Sequence, residues 1–151
     1  MQLASPIKVF NASQTILYRL LCERGSLATH LLSARRFYEE RRDALSAALR
    51  GADSLADWSE PGAGLFYWLR VRGIDDVYNM VFHTAFQRGL MLVPGQAFQY
   101  DSGAQCPYIR LTFSKINLKD LDTAIGHLVE VIKEEQKLAL QKLPKRLATE
   151  G

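Results

Sequence analysis

The chain has 151 residues, about the length of one domain, and its 48% hydrophobic and 23% charged residues exclude extensive disorder outside the ends. A net charge of +3 does not by itself indicate nucleic-acid binding, and no apolar run reaches the ~20 residues of a membrane span. Two distant cysteines, Cys22 and Cys106, indicate neither a disulfide framework nor a metal site, which favours a reducing, cytoplasmic setting.

The first third of the chain is predicted to be helical. Residues 13–21 have a helical pattern with an apolar side. After a break at Gly25-Ser26, a long helix is predicted as far as Gly51. Its arginines, between Arg35 and Arg42, alternate with carboxylates. They could form a phosphate-binding patch, but a solvated face with i,i+4 ion pairs is the favoured interpretation.

The remainder alternates strands and helices. Strands are predicted at 65–71, with both faces covered, at 90–93 and at 108–113. Two further helices are predicted, one from Asp75 or Asp76 to Arg88 and one from Asn117 or Asp120 to Pro144. Pro94-Gly95 turns the chain. The order of elements predicts an α+β fold, in which helices pack on one face of a small, mostly antiparallel sheet.

Arg110 is the strongest candidate for a functional residue. It lies within an apolar strand, where a buried cation is costly unless an anion meets it. A guanidinium presents paired N–H donors that match the two oxygens of a carboxylate. Two interpretations remain open at this point: Arg110 binds a carboxylate ligand, or it pairs with an internal carboxylate such as Asp101 or Glu60.

The other polar and aromatic residues indicate less. The histidines at 30, 83 and 127 have no carboxylate at metal-ligand spacing, so no metal site is predicted. Cys106 lies in a loop near Arg110 and is predicted to be inert. Four aromatic residues could stack on a ligand, but their strand context favours a place in the core; they are Trp58, Phe66, Tyr67 and Trp68.

Three segments together resemble the C-terminal part of a fold-type I pyridoxal-phosphate aminotransferase of the 2-aminoadipate/kynurenine branch. They are Pro61-Gly-Ala-Gly-Leu-Phe-Tyr-Trp-Leu-Arg-Val-Arg-Gly73, Gly89-Leu-Met-Leu-Val-Pro-Gly-Gln-Ala-Phe98 and Pro107-Tyr-Ile-Arg-Leu-Thr-Phe-Ser114. The match extends over roughly residues 10–135. It implies that residues 1–25 are a remnant of an inter-domain or large-domain helical segment. Residues 26–143 would then form the small domain and residues 144–151 a tail.

The resemblance implies amino-group transfer between an α-amino acid and a 2-oxo acid, with Arg110 binding the substrate carboxylate. Pyridoxal 5'-phosphate is the cofactor of the full-length family. Its lysine, its acidic partner and its phosphate cradle come from the large domain, so no catalytic or cofactor-binding residue is assigned here. No covalently bound cofactor is expected, and the chain alone is expected to be inactive. Whether it acts as an enzyme therefore stays open.

Two residues depart from the family pattern or imitate part of it. Gln99 stands where the family often has an aromatic residue. Lys115 follows Thr112-Phe-Ser114 in a setting that resembles the cofactor lysine of the family, but the usual flanking residues are absent. Lys115 is therefore predicted not to carry the cofactor.

The resemblance also implies partners. These are the carboxylate of an amino acid or 2-oxo acid, and the missing large domain or a homodimer partner; neither nucleic acid nor a membrane is expected. The chain is interpreted as an expressed fragment, a truncated product or one part of a split protein. Without the large domain, residues 1–25 are expected to self-associate or to be poorly ordered. The alternative functions are an effector-sensing aminotransferase-like domain of a GntR/MocR-type transcriptional regulator and a non-catalytic interaction module.

Overall fold

A computed structural model of the protein describes residues 11–23, 25–101 and 103–147, and its side chains up to residue 141. The helices are α1 (Asn11–Cys22), α2 (Ser26–Leu49), a π-helix (Met80–Ala85) and α3 (Leu121–Leu147). The strands are β1 (Ala56–Trp58), β2 (Phe66–Val71), β3 (Val93–Pro94) and β4 (Tyr108–Thr112). Short 3-10 turns occupy Arg50–Ala52, Gly95–Phe98 and Leu118–Asp120.

The chain divides into two compact units, with the division between Phe37 and Tyr38. The first unit contains α1 and the beginning of α2, as the helical pattern and the break at Gly25 predicted. Its large apolar side chains are exposed, and they are Ile16, Leu17, Tyr18, Leu20, Leu21, Leu27, Leu31, Leu32 and Phe37. The predicted boundaries at 25/26 and 143/144, and the predicted self-association, stay predictions.

The second unit is built on a four-stranded antiparallel sheet in the order β1-β2-β4-β3. In this register Arg110 of β4 lies opposite Trp68 of β2 on one side and Val93 of β3 on the other. Successive side chains of a strand point to opposite faces, so each of the two central strands has one core-facing row. On β2 this row is Tyr67, Leu69 and Val71, and on β4 it is Ile109 and Leu111.

The helices cover this inward face of the sheet and close one hydrophobic core, which confirms the predicted α+β layer. α2 contributes Leu45 and Leu49, and α3 contributes an apolar stripe. That stripe comprises Leu121, Ile125, Leu128, Val131 and Ile132. Earlier in α2, Arg42 forms an ion pair with the adjacent Asp43 (2.7 Å) rather than a pair at the predicted i,i+4 spacing. None of the helices in the described part of the chain is long and apolar enough to cross a membrane.

The helix between β2 and β3 begins where the sequence predicted. Asp76 Oδ1 accepts a hydrogen bond from the Tyr78 N–H (2.9 Å), so Asp76 caps its first turn. The helix contains the π-helical segment Met80–Ala85 and ends at Gly89, which has φ +74°. Arg88 fixes it to α3 by donating to Glu130 (2.5 Å) and Glu134 (2.7 Å).

Several details of the prediction were wrong. Strand β1 was not predicted, because Ala-Asp-Trp is short and lacks a β-branched residue. A strand was predicted at 90–93, but the observed strand comprises only Val93–Pro94. Pro144 does not end α3, which continues to Leu147. Proline removes only one backbone N–H, and the loss of a single bond near the end of a long helix is tolerated.

Candidate carboxylate-binding site

Arg110 lies in the middle of β4, on the face of the sheet opposite the core. Its neighbours Ile109 and Leu111 point inward, so the alternation of the strand sends Arg110 outward. The side chain is partly exposed, which corrects the expectation that it is buried. Strand β2 also has an open face, because Phe66 and Trp68 are about 40% exposed (40% and 41%). The expectation that both faces of this strand are covered was therefore wrong.

The guanidinium of Arg110 is flanked by two aromatic rings. Its Cζ lies 4.1 Å from the ring centroid of Phe66 and 4.7 Å from that of Phe98. Trp68 meets Phe98 edge to face, with centroids 5.1 Å apart and planes at 81°. We call Arg110, Phe66, Trp68 and Phe98 the open-face cluster. Cation–π contacts of this kind hold the guanidinium in place without neutralising its charge.

The turn that carries Phe98 depends on Gly95. A Cβ at this position would overlap the Cys106 Sγ and lie 3.1 Å from both the Cβ and the carbonyl oxygen of Tyr108. Only glycine permits the turn to approach β4 this closely. Cys106 is buried against this turn, so its thiol serves as packing. The Pro94-Gly95 turn predicted from the sequence is confirmed.

Arg110 has no acidic partner among the described residues. No carboxylate there, including those of Asp101 and Glu60, lies within ion-pair distance of its guanidinium, and the guanidinium makes no hydrogen bond to a described acceptor. Its N–H donors remain available to an external acceptor. A guanidinium fork of this kind matches a carboxylate or a phosphate group.

The acidic groups with shifted pKa values, Tyr67 and Asp57, lie outside the open-face cluster. Burial raises the pKa of Tyr67, whose hydroxyl donates to the Arg42 carbonyl oxygen (3.3 Å) on the core side. Near strand β1, the hydrogen bond from Arg72 lowers the pKa of Asp57 below its usual value. Both shifts have local structural causes, and neither group contacts Arg110.

Two features of the described residues bear on a pyridoxal-phosphate site. Lys115 is exposed in the turn after β4. A helix N-terminus can bind a phosphate through free N–H groups. At two such ends one N–H is already bonded, because Asp76 accepts from the Tyr78 N–H and Asn117 Oδ1 from the Lys119 N–H (3.3 Å). Across the described ranges, no group of three or more His, Cys, Asp or Glu residues could hold a metal ion.

Sequence reasoning found Arg110 but placed Phe66 and Trp68 in the core. A usable signal was present in β2, because Arg70 shares their face and a charged residue marks that face as solvent-accessible. Phe98 was noted only as part of a turn motif. Its contact with Arg110 depends on the pairing of β3 with β4, which brings the turn after β3 beside Arg110.

Comparison with known proteins points to one group of enzymes. The chain is 40% identical over 99 residues to the mitochondrial kynurenine/alpha-aminoadipate aminotransferase of Bos taurus, covering 65% of this chain and 23% of that protein. It is 36% identical over 137 residues to the Mus musculus protein of the same name, covering 86% of this chain and 31% of that protein. The chain thus spans less than a third of the length of these relatives. No protein-family model matches it.

A solved structure gives the same result. The multiple substrate aminotransferase of Thermococcus profundus superposes with a TM-score of 0.68 at 32% identity, covering 76% of this chain and 28% of that one. A different kind of relative is an uncharacterized HTH-type transcriptional regulator of Bacillus subtilis, YdfD. It is 28% identical over 111 residues, covering 73% of this chain and 22% of that protein.

Proposed function

Since this chain belongs to the fold-type I aminotransferases and corresponds to the C-terminal part of their kynurenine/aminoadipate branch, we propose that it binds a substrate carboxylate through Arg110. The complete reaction would be amino-group transfer between an α-amino acid and a 2-oxo acid. The observation that carries the proposal is the environment of Arg110, whose guanidinium is held between two rings and has no carboxylate partner in the described part of the chain.

The geometry favours orientation of a ligand. Arg110 is paired on both sides by neighbouring strands, so its backbone is fixed. Two parallel N–H groups of the guanidinium donate hydrogen bonds to the two carboxylate oxygens, and this fixes the orientation of the bound acid. The flanking rings of Phe66 and Phe98 exclude water from one side of that contact, and a lower local dielectric strengthens it.

This proposed role is confined to binding and orientation. In the full-length family pyridoxal 5'-phosphate supplies the electron sink for transamination, and we assign no residue of this chain to hold it. The large domain or a homodimer partner is the proposed source of that group. A cytoplasmic location also stays a proposal, because the mammalian relatives are named as mitochondrial.

A titration followed by NMR tests carboxylate binding. The amide signals of residues 108–112 and the indole signal of Trp68 are followed while 2-oxoglutarate is added at constant ionic strength. We expect saturable shifts centred on Arg110. The dimethyl ester of 2-oxoglutarate is the matched control, since it keeps the carbon skeleton but has no charged oxygen pair. Equal shifts with both compounds would contradict the proposal.

A second candidate function rests on the similarity to the transcriptional regulator of Bacillus subtilis. In that case Arg110 would bind the carboxylate of an effector, and the chain would act as a ligand sensor that does not catalyse a reaction. Both functions require the open-face cluster to bind a carboxylate, and they differ in the domain joined to this chain. The reading frame upstream of Met1 distinguishes them, because one function requires a pyridoxal-lysine domain and the other a DNA-binding helix-turn-helix.

A further inference from the structure

We propose that Gln96 is a positioning residue for the carboxylate site: it ties the turn Gly95–Phe98 to Asp76 and so holds the Phe98 ring beside Arg110. This inference rests on the proposed function, because it assigns Gln96 a role in that site. Gln96 does not touch the bound acid and acts only through Phe98.

Gln96 is unusual among the polar residues of the second unit because it is buried, with 5% of its surface exposed. The next two residues of its turn, Ala97 and Phe98, are both exposed. The Gln96 Nε2 donates a hydrogen bond to Asp76 Oδ1. That same oxygen accepts from the Tyr78 N–H (2.9 Å), so one carboxylate joins the turn to the start of the helix.

The attachment point at Asp76 is itself fixed. The next residue, Val77, is fully buried, and its N–H donates to the Cys106 carbonyl oxygen (3.0 Å). Cys106 in turn packs against Gly95 at the start of the turn. The hydrogen bond of Gln96 therefore connects the turn to a rigid part of the core.

The other end of the Gln96 amide supports a role beyond packing. Its Oε1 is buried and has no hydrogen-bond partner among the described residues. Flipping the amide would not help, because it would place Oε1 against the Asp76 carboxylate. A buried acceptor without a donor destabilises the fold, and an apolar side chain of similar length would avoid this. What the amide supplies here, and methionine cannot, is the bond that anchors the turn.

The consequence for the site follows from the position of Phe98, two residues along the same turn. Its ring forms one wall of the Arg110 guanidinium and contacts the edge of Trp68. If the Gln96 bond is lost, the turn loses its side-chain hydrogen bond to Asp76. It retains the packing of Cys106 against Gly95 and backbone contacts such as the hydrogen bond from the Gln99 N–H to the Gln96 carbonyl oxygen (3.2 Å). The Phe98 ring then samples other positions, and the Arg110 guanidinium loses one of the two aromatic rings that contact it.

The experiment compares Gln96→Met with the charge-exchanged double variant Gln96→Glu/Asp76→Asn. Methionine keeps the length and removes the donor, while Asp76 still caps the helix. In the double variant the new amide at position 76 donates and the new carboxylate at position 96 accepts, so the bond is restored with its direction reversed. All proteins carry Trp58→Phe, so that fluorescence reports Trp68 alone. Three quantities are measured: the emission of Trp68, the dissociation constant for 2-oxoglutarate by NMR, and the free energy of unfolding in urea.

We expect Gln96→Met to change the fluorescence emission of Trp68. It should also weaken 2-oxoglutarate binding about two- to fivefold, which corresponds to the free energy of one exposed cation–π contact. Its free energy of unfolding should not fall in parallel, since the unpartnered Oε1 is also removed. The double variant should recover both emission and affinity. Unchanged emission and affinity in Gln96→Met would overturn the inference, as would an affinity loss that only follows lost stability.

The same measurements separate this inference from the proposed function. If the parent protein does not bind 2-oxoglutarate, the proposed function fails, and with it the claim that Gln96 serves a carboxylate site. If the parent binds and Gln96→Met binds equally well, only the role of Gln96 fails.

Discussion

Replacing Arg110 tests whether this residue recognises a ligand or maintains the fold. Arg110→Lys keeps the positive charge but loses the planar fork and the fit between Phe66 and Phe98. Arg110→Gln removes the charge and keeps much of the length. The pair of variants therefore separates the contribution of charge from that of geometry.

The structure sets the expected loss of binding. A hydrogen bond to a charged group contributes about 1.5–3 kcal/mol. Lysine retains one point contact with a carboxylate where arginine makes two, so one such bond is lost. Because the site is partly exposed, the lower figure applies, and Arg110→Lys should weaken 2-oxoglutarate binding roughly tenfold. Arg110→Gln should abolish measurable binding.

The expected effect on folding is small. Arg110 has cation–π contacts with two rings and no described ion pair, so Arg110→Gln should lower the free energy of unfolding by only about 1–2 kcal/mol. Breaking a buried ion pair would cost about 3–5 kcal/mol. Urea unfolding followed by circular dichroism measures this difference. A loss in the larger range, with binding unchanged in Arg110→Lys, would refute the ligand role and indicate a structural arginine.

Three further predictions concern the surroundings of the site. Gly95→Ala should destabilise the chain by about 1–3 kcal/mol in urea unfolding, because its Cβ overlaps the Cys106 Sγ. Adding Cys106→Ala should recover part of this loss, and Gly62→Ala, with no atom within 4 Å of the new Cβ, should have little effect. Burial raises the pKa of Tyr67, so the folded chain keeps its proton where the unfolded chain releases it; the contribution of Tyr67 to the free energy of unfolding should be constant below about pH 10 and should fall as pH rises further. Tyr67→Phe should flatten that fall, and a slope unchanged by the substitution would show that another group is responsible. Finally, adding pyridoxal phosphate should give no stoichiometric aldimine absorption band and no transaminase turnover; a band removed by Lys115→Ala would show that the cofactor assignment is wrong.

Much of the fold followed from local periodicity. The apolar stripes of α2 and α3, the Asp76 cap and the Pro94-Gly95 turn all depend on residues close in sequence. The open face of β2 did not follow, because an aromatic side chain gives the same local signal on a covered face and on an exposed one. Only the strand pairing and the placement of the helices decide which row of side chains is covered.

The site shows the same division between local and non-local information. Arg110 was identifiable because a cation in an apolar strand is uncommon. The two rings that contact it come from β2 and from the turn before the polar loop, and both precede Arg110 by more than ten residues. That Arg110 has no acidic partner among the described residues likewise emerged only from the structure, since the sequence left Asp101 and Glu60 open as partners.

The exposed aromatic face bears on how strongly the chain can bind an acid by itself. Phe66 and Phe98 contact the guanidinium and Trp68 lies against Phe98, but all three rings are 40–51% exposed, so water still reaches the cluster. Water competes for the same N–H donors and raises the local dielectric, which weakens a charged hydrogen bond. An exposed apolar surface rimmed by polar groups is also characteristic of a surface that another protein segment covers. Covering this face with the proposed large domain should therefore strengthen carboxylate binding at Arg110, and the affinity of the chain alone should be a lower limit.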